Sequence, residues 1–451
     1  MTAVPAPQSD SVPELSVVIP TRGDSHCLEL TLRALGRQTL PAHRFEVIVV
    51  RDGTDDVDYS GVAIAAKDLN LRLIELPEQG GRSVARNTGV QHATADVVVF
   101  LDADSYAEPQ LLERHASHHA VPDSAPVLIG RRDELNLEDV EAVVAGAGTV
   151  PTARHVVGGG DIRFWKSSPE PGEWLQIGWM FAYTHNVSVH RSLVLAVGGF
   201  DQRFGRRWGV EDLELFYRID QHLGTDRINF AYDDQAAVYH LPHYRNEGAN
   251  VADLTENMAL ILSTHPHVDW EFVGWWNGFV VVERILEYRR VLADCVARSA
   301  CRVGPVHERL APSLPGTKVL WVGTGSADVA LGEGALTFDY GAPRTDTNRH
   351  LLGTTPPAAP GELDAVVSVD FWRYLPWSEL CQFVSSGCVS AGTVYLVSTM
   401  EELSARINPS DSTIDYLVRA LSTRFDTVVE SIEGLPFVLR LGFRDAESGP
   451  R

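Results

Sequence analysis

The chain has 451 residues, 44% hydrophobic and 22% charged. That is enough for two or three domains with sizeable cores, and it excludes a disordered chain or a small disulfide scaffold. With 38 Lys plus Arg against 60 Asp plus Glu, the net charge of −22 opposes the field of a free-standing nucleic-acid binder, so no nucleic-acid partner is expected. The five cysteines form no Cys-x-x-Cys pair, which argues against a disulfide framework and a cysteine zinc site and for a reducing, cytoplasmic setting.

The Pro-rich opening, residues 1–13, reads as a flexible tail without the basic and apolar regions of a signal peptide. Leu15–Pro20, Phe45–Val50, Leu71–Leu76 and Asp96–Leu101 read as strands, with helices over Cys27–Leu40 and Ser83–Ala93. Strands alternating with helices at this spacing predict an α/β fold with a parallel, doubly wound sheet. From 131 to 185 the pattern is irregular, as loops shaped around a ligand would be. A helical stretch around Gly198-Gly199 follows, then a short strand at Ala236–Tyr239 and mostly helix from Asn250 to Leu292. The apolar stretch Trp270–Leu286 is interrupted by Glu271, Asn277, Glu283 and Arg284, so no integral membrane segment is expected. Further strands at Lys318–Gly323, Ala335–Asp339, Leu363–Ser368 and Gly392–Val397 predict a second, smaller α/β domain, with one long loop over 341–361.

Asp102 and Asp104 stand two residues apart at the carboxyl end of a buried strand, which is where open α/β sheets bind ligands. Two carboxylates there are costly unless a cation accompanies them. Mg²⁺ or Mn²⁺ shared with diphosphate oxygens suits such hard oxygen ligands. Arg82 opens a helix, so it and the helix N-terminus favour an anion. His115, His118 and His119 read as a solvated helix face.

Val17-Val-Ile-Pro-Thr-Arg22, Val49-Val-Arg-Asp-Gly53, Gly81 to Gly89 and Leu101 to Asp104 stand in the order and spacing of a known family. Together they resemble the family 2 glycosyltransferases, which have the GT-A fold. The resemblance implies that Pro20, Thr21, Arg22 and Asp52 hold the base and ribose, and that Arg82, Arg86 and Asn87 lie beside the diphosphate. It implies that Asp104 binds the metal, with Asp102 supporting the ribose or the metal and Ala103 between them in the nucleotide-sugar site.

The segment Gly198 to Leu215 resembles the acceptor-side motif of galactosyl- and N-acetylgalactosaminyl-transferases. It implies Asp212 as general base of an inverting transfer and Glu211 as a hydroxyl-binding acid, beside Trp208 and Gly209. His240 falls where metal-dependent relatives supply a histidine ligand, with His243 competing for the role. Asn186 sits where the family often has a residue facing the sugar, and Trp174, Trp179 and Trp208 are candidates for stacking on one.

Val319 to Ala327, with Asp339 ending the next strand, resembles class I S-adenosylmethionine-dependent methyltransferases. The third glycine of the loop is replaced by Ala327, so the domain reads as a degenerate Rossmann-like one serving packing, dimerisation or acceptor capture, without S-adenosylmethionine. The expected organisation is a GT-A domain at 14–265, a helical connector at 266–312 and the Rossmann-like domain at 313–445. The expected function is metal-assisted transfer of a sugar from a nucleoside-diphosphate sugar to a small-molecule or saccharide acceptor, in natural-product or surface-glycan biosynthesis. A bifunctional glycosyltransferase–methyltransferase and a catalytically inactive sugar-nucleotide-binding protein are the alternatives.

Overall fold

Strands covered on both faces read as continuous Val/Ile/Leu runs rather than alternating ones, and this accounts for the first half of the chain. In the computed structural model, β1 (Leu15–Thr21) lies between β2 (Phe45–Arg51) and β4 (Val97–Leu101), with β3 (Leu71–Glu75) outside β2, all four parallel. Val17 stands opposite Val47 on one side and Val99 on the other, and all three are fully buried. Only the edge strand β3 exposes apolar surface, at Leu73. The structure describes residues 12–145, 156–161, 173–273, 280–354, 356, 358–399 and 411–444; most of the N-terminal tail, part of the 131–185 segment and the middle of Trp270–Leu286 lie outside these. Two compact units divide between Met258 and Ala259.

In the first unit the connections are α1 (Ser25–Leu35), α2 (Ser60–Ala65) and α3 (Arg82–His92). α1 starts where the Asp24 side chain accepts a hydrogen bond from the Cys27 amide, one of the donors a helix N-terminus leaves open. After β4 the chain adds β5 (Ser105–Ala107), α4 (Leu111–His119), β6 (Val127–Leu135), α5 (Val140–Ala145), β7 (Val156–Asp161) and β8 (Asn186–His190). It then adds α6 (Arg191–Ala196), α7 (Glu211–Leu223), β9 (Phe230–His240) and α8 (Glu247–Thr264). The sheet has nine strands in the order β3-β2-β1-β4-β8-β6-β9-β5, with β7 on β6. It is mixed rather than wholly parallel, because β8 runs antiparallel to both β4 and β6. β9 is longer than the short strand expected at Ala236–Tyr239, and its far end carries His240 into the sheet.

The second unit begins with α9 (Val268–Val273), α10 (Val280–Arg298) and α11 (Val303–Leu310), so the helices read as a connector at 266–312 fall inside it. Its strands are β10 (Val319–Val322), β11 (Leu336–Phe338), β12 (Ala365–Val369), β13 (Thr393–Ser398), β14 (Phe425–Ile432) and β15 (Leu435–Phe443). α12 (Trp377–Ala391) and α13 (Asp411–Leu421) complete it. The order β11-β10-β12-β13-β15-β14 is a Rossmann-like parallel sheet with an antiparallel hairpin at one edge. The unit is the second, smaller α/β domain expected.

The histidines read as a solvated helix face are corrected by the structure. His115 on α4 is fully buried, with Nε2 at 2.9 Å from Asn186 Oδ1 and Nδ1 at 2.7 Å from Ser188 Oγ; His119 Nε2 lies 2.8 Å from the same hydroxyl. α4 packs this face on the sheet, so both nitrogens of His115 and the Nε2 of His119 find protein partners instead of water, while His119 Nδ1 is buried without one. Burial, little opposed by the Asn186 bond, pulls His115 down to about 4; burial and the neighbouring histidines pull His119 down to about 3. An unfolded chain protonates both near the ordinary 6.5, so stability is fully present above that pH and falls as pH drops toward 4. Denaturant melts at stepped pH should show a slope of about 1.4 kcal/mol per pH unit for each such histidine. His115→Gln should remove one histidine's share of that slope; an unchanged slope would contradict the assignment.

Candidate active site

The sheet order reverses between β1 and β4, and ligands in open α/β sheets bind beyond the strand ends at such a point. Pro20, Thr21 and Arg22 end or follow β1, and Asp102, Ala103 and Asp104 follow β4, so the structure gathers the expected donor-side residues along one edge. The Thr21 hydroxyl is buried there without a hydrogen-bond partner. Arg22 donates to the Asp52 carbonyl at 2.6 Å, and Thr31 Oγ1 donates to the Ala103 carbonyl at 2.8 Å. The Asp52 carboxylate is occupied within the fold, accepting from the Gly80 amide at 2.7 Å and the Gly81 amide at 2.9 Å. It thereby shapes the turn before α3.

Gly81 shows why that turn needs a glycine. Its φ is 92°, and a Cβ there would lie 1.8 Å from the carbonyl oxygen of Gly205, in the acceptor-side motif. Asn87 makes the second tie between the two segments: its Nδ2 donates to the Phe200 carbonyl and its Oδ1 accepts from the Phe200 amide. Both ends of the side chain are thus engaged with Phe200. Arg82 is exposed at the start of α3.

Arg86 forms the third tie. Its guanidinium is almost wholly buried, donating to Glu211 Oε1 at 2.9 Å and to Asp102 Oδ1 at 3.0 Å, 5.5 Å from the Phe200 ring centroid. The side chain assigned to the diphosphate therefore bridges the two acid groups instead. Burial acts against its charge, but Asp102 and Glu211 raise its pKa still further. Glu211 is also buried; burial opposes ionisation and Arg86 overcomes it, holding the carboxyl below its usual range with Oε2 unpartnered. The cation holds together what two carboxylates alone would push apart.

Asp212 has the opposite fate. Its Oδ1 accepts from the Leu213 amide at 2.9 Å and its Oδ2 from the Thr184 amide at 3.3 Å. Burial, then the charge of Glu211, pushes its pKa up to about 7, with Arg86 only partly offsetting them. Two adjacent acids at the start of α7 thus differ in protonation, one held ionised and one poised near neutrality, as acid–base assignments require.

A third cluster lies at the end of β9. Register places His240 opposite Ser105 on β5 and Glu134 on β6, next to Asp104. His240 Nε2 is 3.3 Å and His243 Nδ1 3.1 Å from Asp104 Oδ2, and one ligand atom from each of the three lies within 4.8 Å of the others. Asp104 Oδ1 is buried without a hydrogen-bond partner. Burial opposes the charge on Asp104, yet the two histidines and Arg132 hold it down to about 2. His240 Nδ1 faces Glu134 Oε2 at 2.8 Å, as a carboxylate orients a metal-bound imidazole, while its Nε2 meets the Arg245 guanidinium as well as Asp104, so an ion bound there would displace Arg245. A carboxylate with an orphaned oxygen and two imidazoles fits a divalent ion. Both His240 and His243 belong to this set, where the sequence had them competing. Glu134 was missed, because nothing local marks a strand residue whose partner lies about a hundred positions away.

Asn186 is corrected too. It is fully buried, its Oδ1 accepting from His115 and its Nδ2 donating to the Arg131 and Ala236 carbonyls, so it braces β8 rather than facing a sugar. Trp174 and Trp179 are core residues, whereas Trp208 is half-buried beside Gly209 in the loop before Glu211. In the second unit, Asp339 Oδ2 accepts from the Ser326 amide and hydroxyl, both at 2.7 Å, and Oδ1 from the Gly341 amide at 2.7 Å. The acid that would take ribose hydroxyls in a methyltransferase is closed onto its own loop.

Residues 16–142 match the family model described as glycosyl transferase family 2. The chain is 31% identical over 268 residues to Validoxylamine A glucosyltransferase of Streptomyces hygroscopicus subsp. jinggangensis, covering 56% of this chain and 62% of that one. The protein of the same name from Streptomyces hygroscopicus subsp. limoneus is 32% identical over 276 residues, covering 58% and 59%. The chain thus spans about three fifths of the length of these relatives. Among solved structures, S. aureus TarS 1–349 is 22% identical, covering 55% of this chain and 64% of that one, at a TM-score of 0.39 too low to argue from. The family match coincides with the four parallel strands and the Asp102–Asp104 pair that bound the cleft, and the relatives' match extends beyond it. Over residues 16–142 the first unit of this chain thus matches glycosyl transferase family 2, the family its motifs resemble.

Proposed function

We propose that the protein transfers a sugar from a nucleoside-diphosphate sugar to a small-molecule acceptor. The observation that carries this reading is the continuous chain Asp102–Arg86–Glu211–Asp212, which joins the donor-side carboxylates to an acid with a pKa near 7 inside a family 2 unit. The names of the relatives suggest glucose as the first sugar to test and validoxylamine A as the first acceptor. The buried Thr21 hydroxyl and the backbone from Pro20 to Arg22 would meet the nucleoside, and Arg82 the diphosphate. Asp212 in its ionised form would accept the acceptor's proton while Glu211, held charged by Arg86, binds a sugar hydroxyl. Attack opposite the leaving diphosphate would invert the anomeric centre.

Asp104, His240 and His243 would hold a divalent ion, Mn²⁺ suiting the two imidazoles better than Mg²⁺. Bound there, such an ion supplies positive charge to the leaving diphosphate. The second unit is assigned a non-catalytic role, since its Asp339 is closed onto Ser326 and Gly341.

Release of nucleoside diphosphate from UDP-, GDP- and dTDP-glucose, with and without validoxylamine A, tests the reading; no turnover of any donor would overturn it. Calorimetric binding of the nucleoside diphosphate should be tighter with Mn²⁺ than with EDTA in the wild type. Asp104→Ala should abolish that difference, and His240→Ala and His243→Ala should each reduce it. Equal wild-type affinity under both conditions would refute the metal assignment.

A further inference from the structure

The loop that delivers the acid pair is held by side chains of α8. Asn257 is fully buried; its Nδ2 donates to the Trp208 carbonyl at 3.1 Å and the Gly209 carbonyl at 2.9 Å. Its Oδ1 accepts from Arg207 Nε at 2.7 Å. One turn earlier on the same helix face, Asp253 Oδ2 accepts from the Trp208 amide at 2.9 Å. Two α8 residues therefore hold three consecutive residues, 207 to 209, at four points.

The next residue is strained. Val210 has φ 63° and ψ 0°, the left-handed region, which a β-branched side chain avoids and which persists only where the surroundings over-determine it. Gly209 before it has φ 100°. Val210 is the N-cap of α7, so its backbone sets the direction in which the helix starts and the side to which Glu211 and Asp212 project. Any buried asparagine tends to find backbone partners. What distinguishes Asn257 is that both its donations go to the carbonyls just before the strained residue.

We infer that Asn257, supported by Asp253, is a positioning residue: it keeps residues 208–210 in the strained turn and thereby aims Glu211 and Asp212 into the cleft. Its effect on turnover rests on the glycosyltransferase reading; its effect on the loop does not. Asn257→Asp separates the two. The isosteric carboxylate still pairs with Arg207 but cannot donate to the Trp208 and Gly209 carbonyls, so the fold survives while the loop is released.

Two measurements on the full chain decide. Hydrogen exchange of the 207–214 peptide in Asn257→Asp should accelerate by about tenfold or more, with other peptides unchanged. With UDP-, GDP- or dTDP-glucose, Mn²⁺ and water as acceptor, kcat should fall about 10²-fold while KM for the sugar nucleotide stays near wild type. Asp253→Asn, which can still accept from Trp208, should behave like the wild type, and Asp253→Ala should lie between. Unchanged exchange at 207–214, or a uniform rise across the first unit, would overturn the inference. So would a loosened loop with unaltered kcat. A loosened loop in a protein whose wild type turns over no sugar nucleotide would support the clamp and overturn the glycosyltransferase reading instead.

Discussion

Asp212→Asn is expected to lower kcat by about 10²–10⁴-fold, the usual contribution of a positioned general base, while sugar-nucleotide affinity stays within a few-fold. Asparagine is nearly isosteric and its one oxygen keeps the shorter acceptance, from the Leu213 amide at 2.9 Å, giving up the longer one from Thr184, so a thermal melt should show the fold retained. The wild-type pH profile provides a second measurement. A base is active when deprotonated, and burial beside Glu211 puts Asp212 at about 7, so kcat/KM should rise with pH and level off above that value. Glu211→Gln removes the neighbouring negative charge and should move the rising limb toward acid, leaving the part due to burial. Near-wild-type turnover in Asp212→Asn would remove the base role from this residue while leaving the family assignment intact.

The second large effect is on stability. Arg86→Leu is expected to destabilise the first unit by about 3–5 kcal/mol, the range found when one partner of a buried ion pair is deleted and the other is left uncompensated. Glu211 is the group stranded, since it is buried with one oxygen already unpartnered. Stranded in this way it should no longer be held ionised, and its protonation should relieve Asp212 of a neighbouring charge. Arg86→Leu/Glu211→Leu should regain much of the lost stability, because neither half of the buried pair is then left uncompensated. Denaturant titration of the two variants checks this; a single variant within about 1 kcal/mol of wild type would mean the bridge is solvated rather than dry.

The parallel half of the sheet was legible because β1, β2 and β4 are largely apolar runs, and helices α1 and α3 because their periodicity lies between such strands. Asp104 and the Glu211–Asp212 pair were legible because neighbours in sequence are neighbours in the site. The rest depends on pairing across the sheet. β5, β8 and the start of β9 mix polar and apolar residues, and their placement comes from antiparallel partners that no local pattern names. Glu134 reaches His240 only through the β6–β9 register. Asn87, Arg86 and Asn186 look like ligand contacts when read one at a time. In the fold, their partners Phe200, Glu211 and His115 lie up to 125 residues away and occupy the same atoms.

The contact between Gly81 and Gly205 bears on how this scaffold could be re-engineered or could diverge. A side chain at 81 has nowhere to go but through the backbone at 205, so these two surfaces must change together. Replacing 198–215 with the corresponding loop of another transferase, to alter the acceptor, would import a backbone path that need not leave that gap. Chimeras should therefore succeed when 80–87 is exchanged with it and fail to accumulate as folded protein when it is moved alone. For the same reason, paired rather than single changes at the two positions are the expected signature of descent with altered substrates.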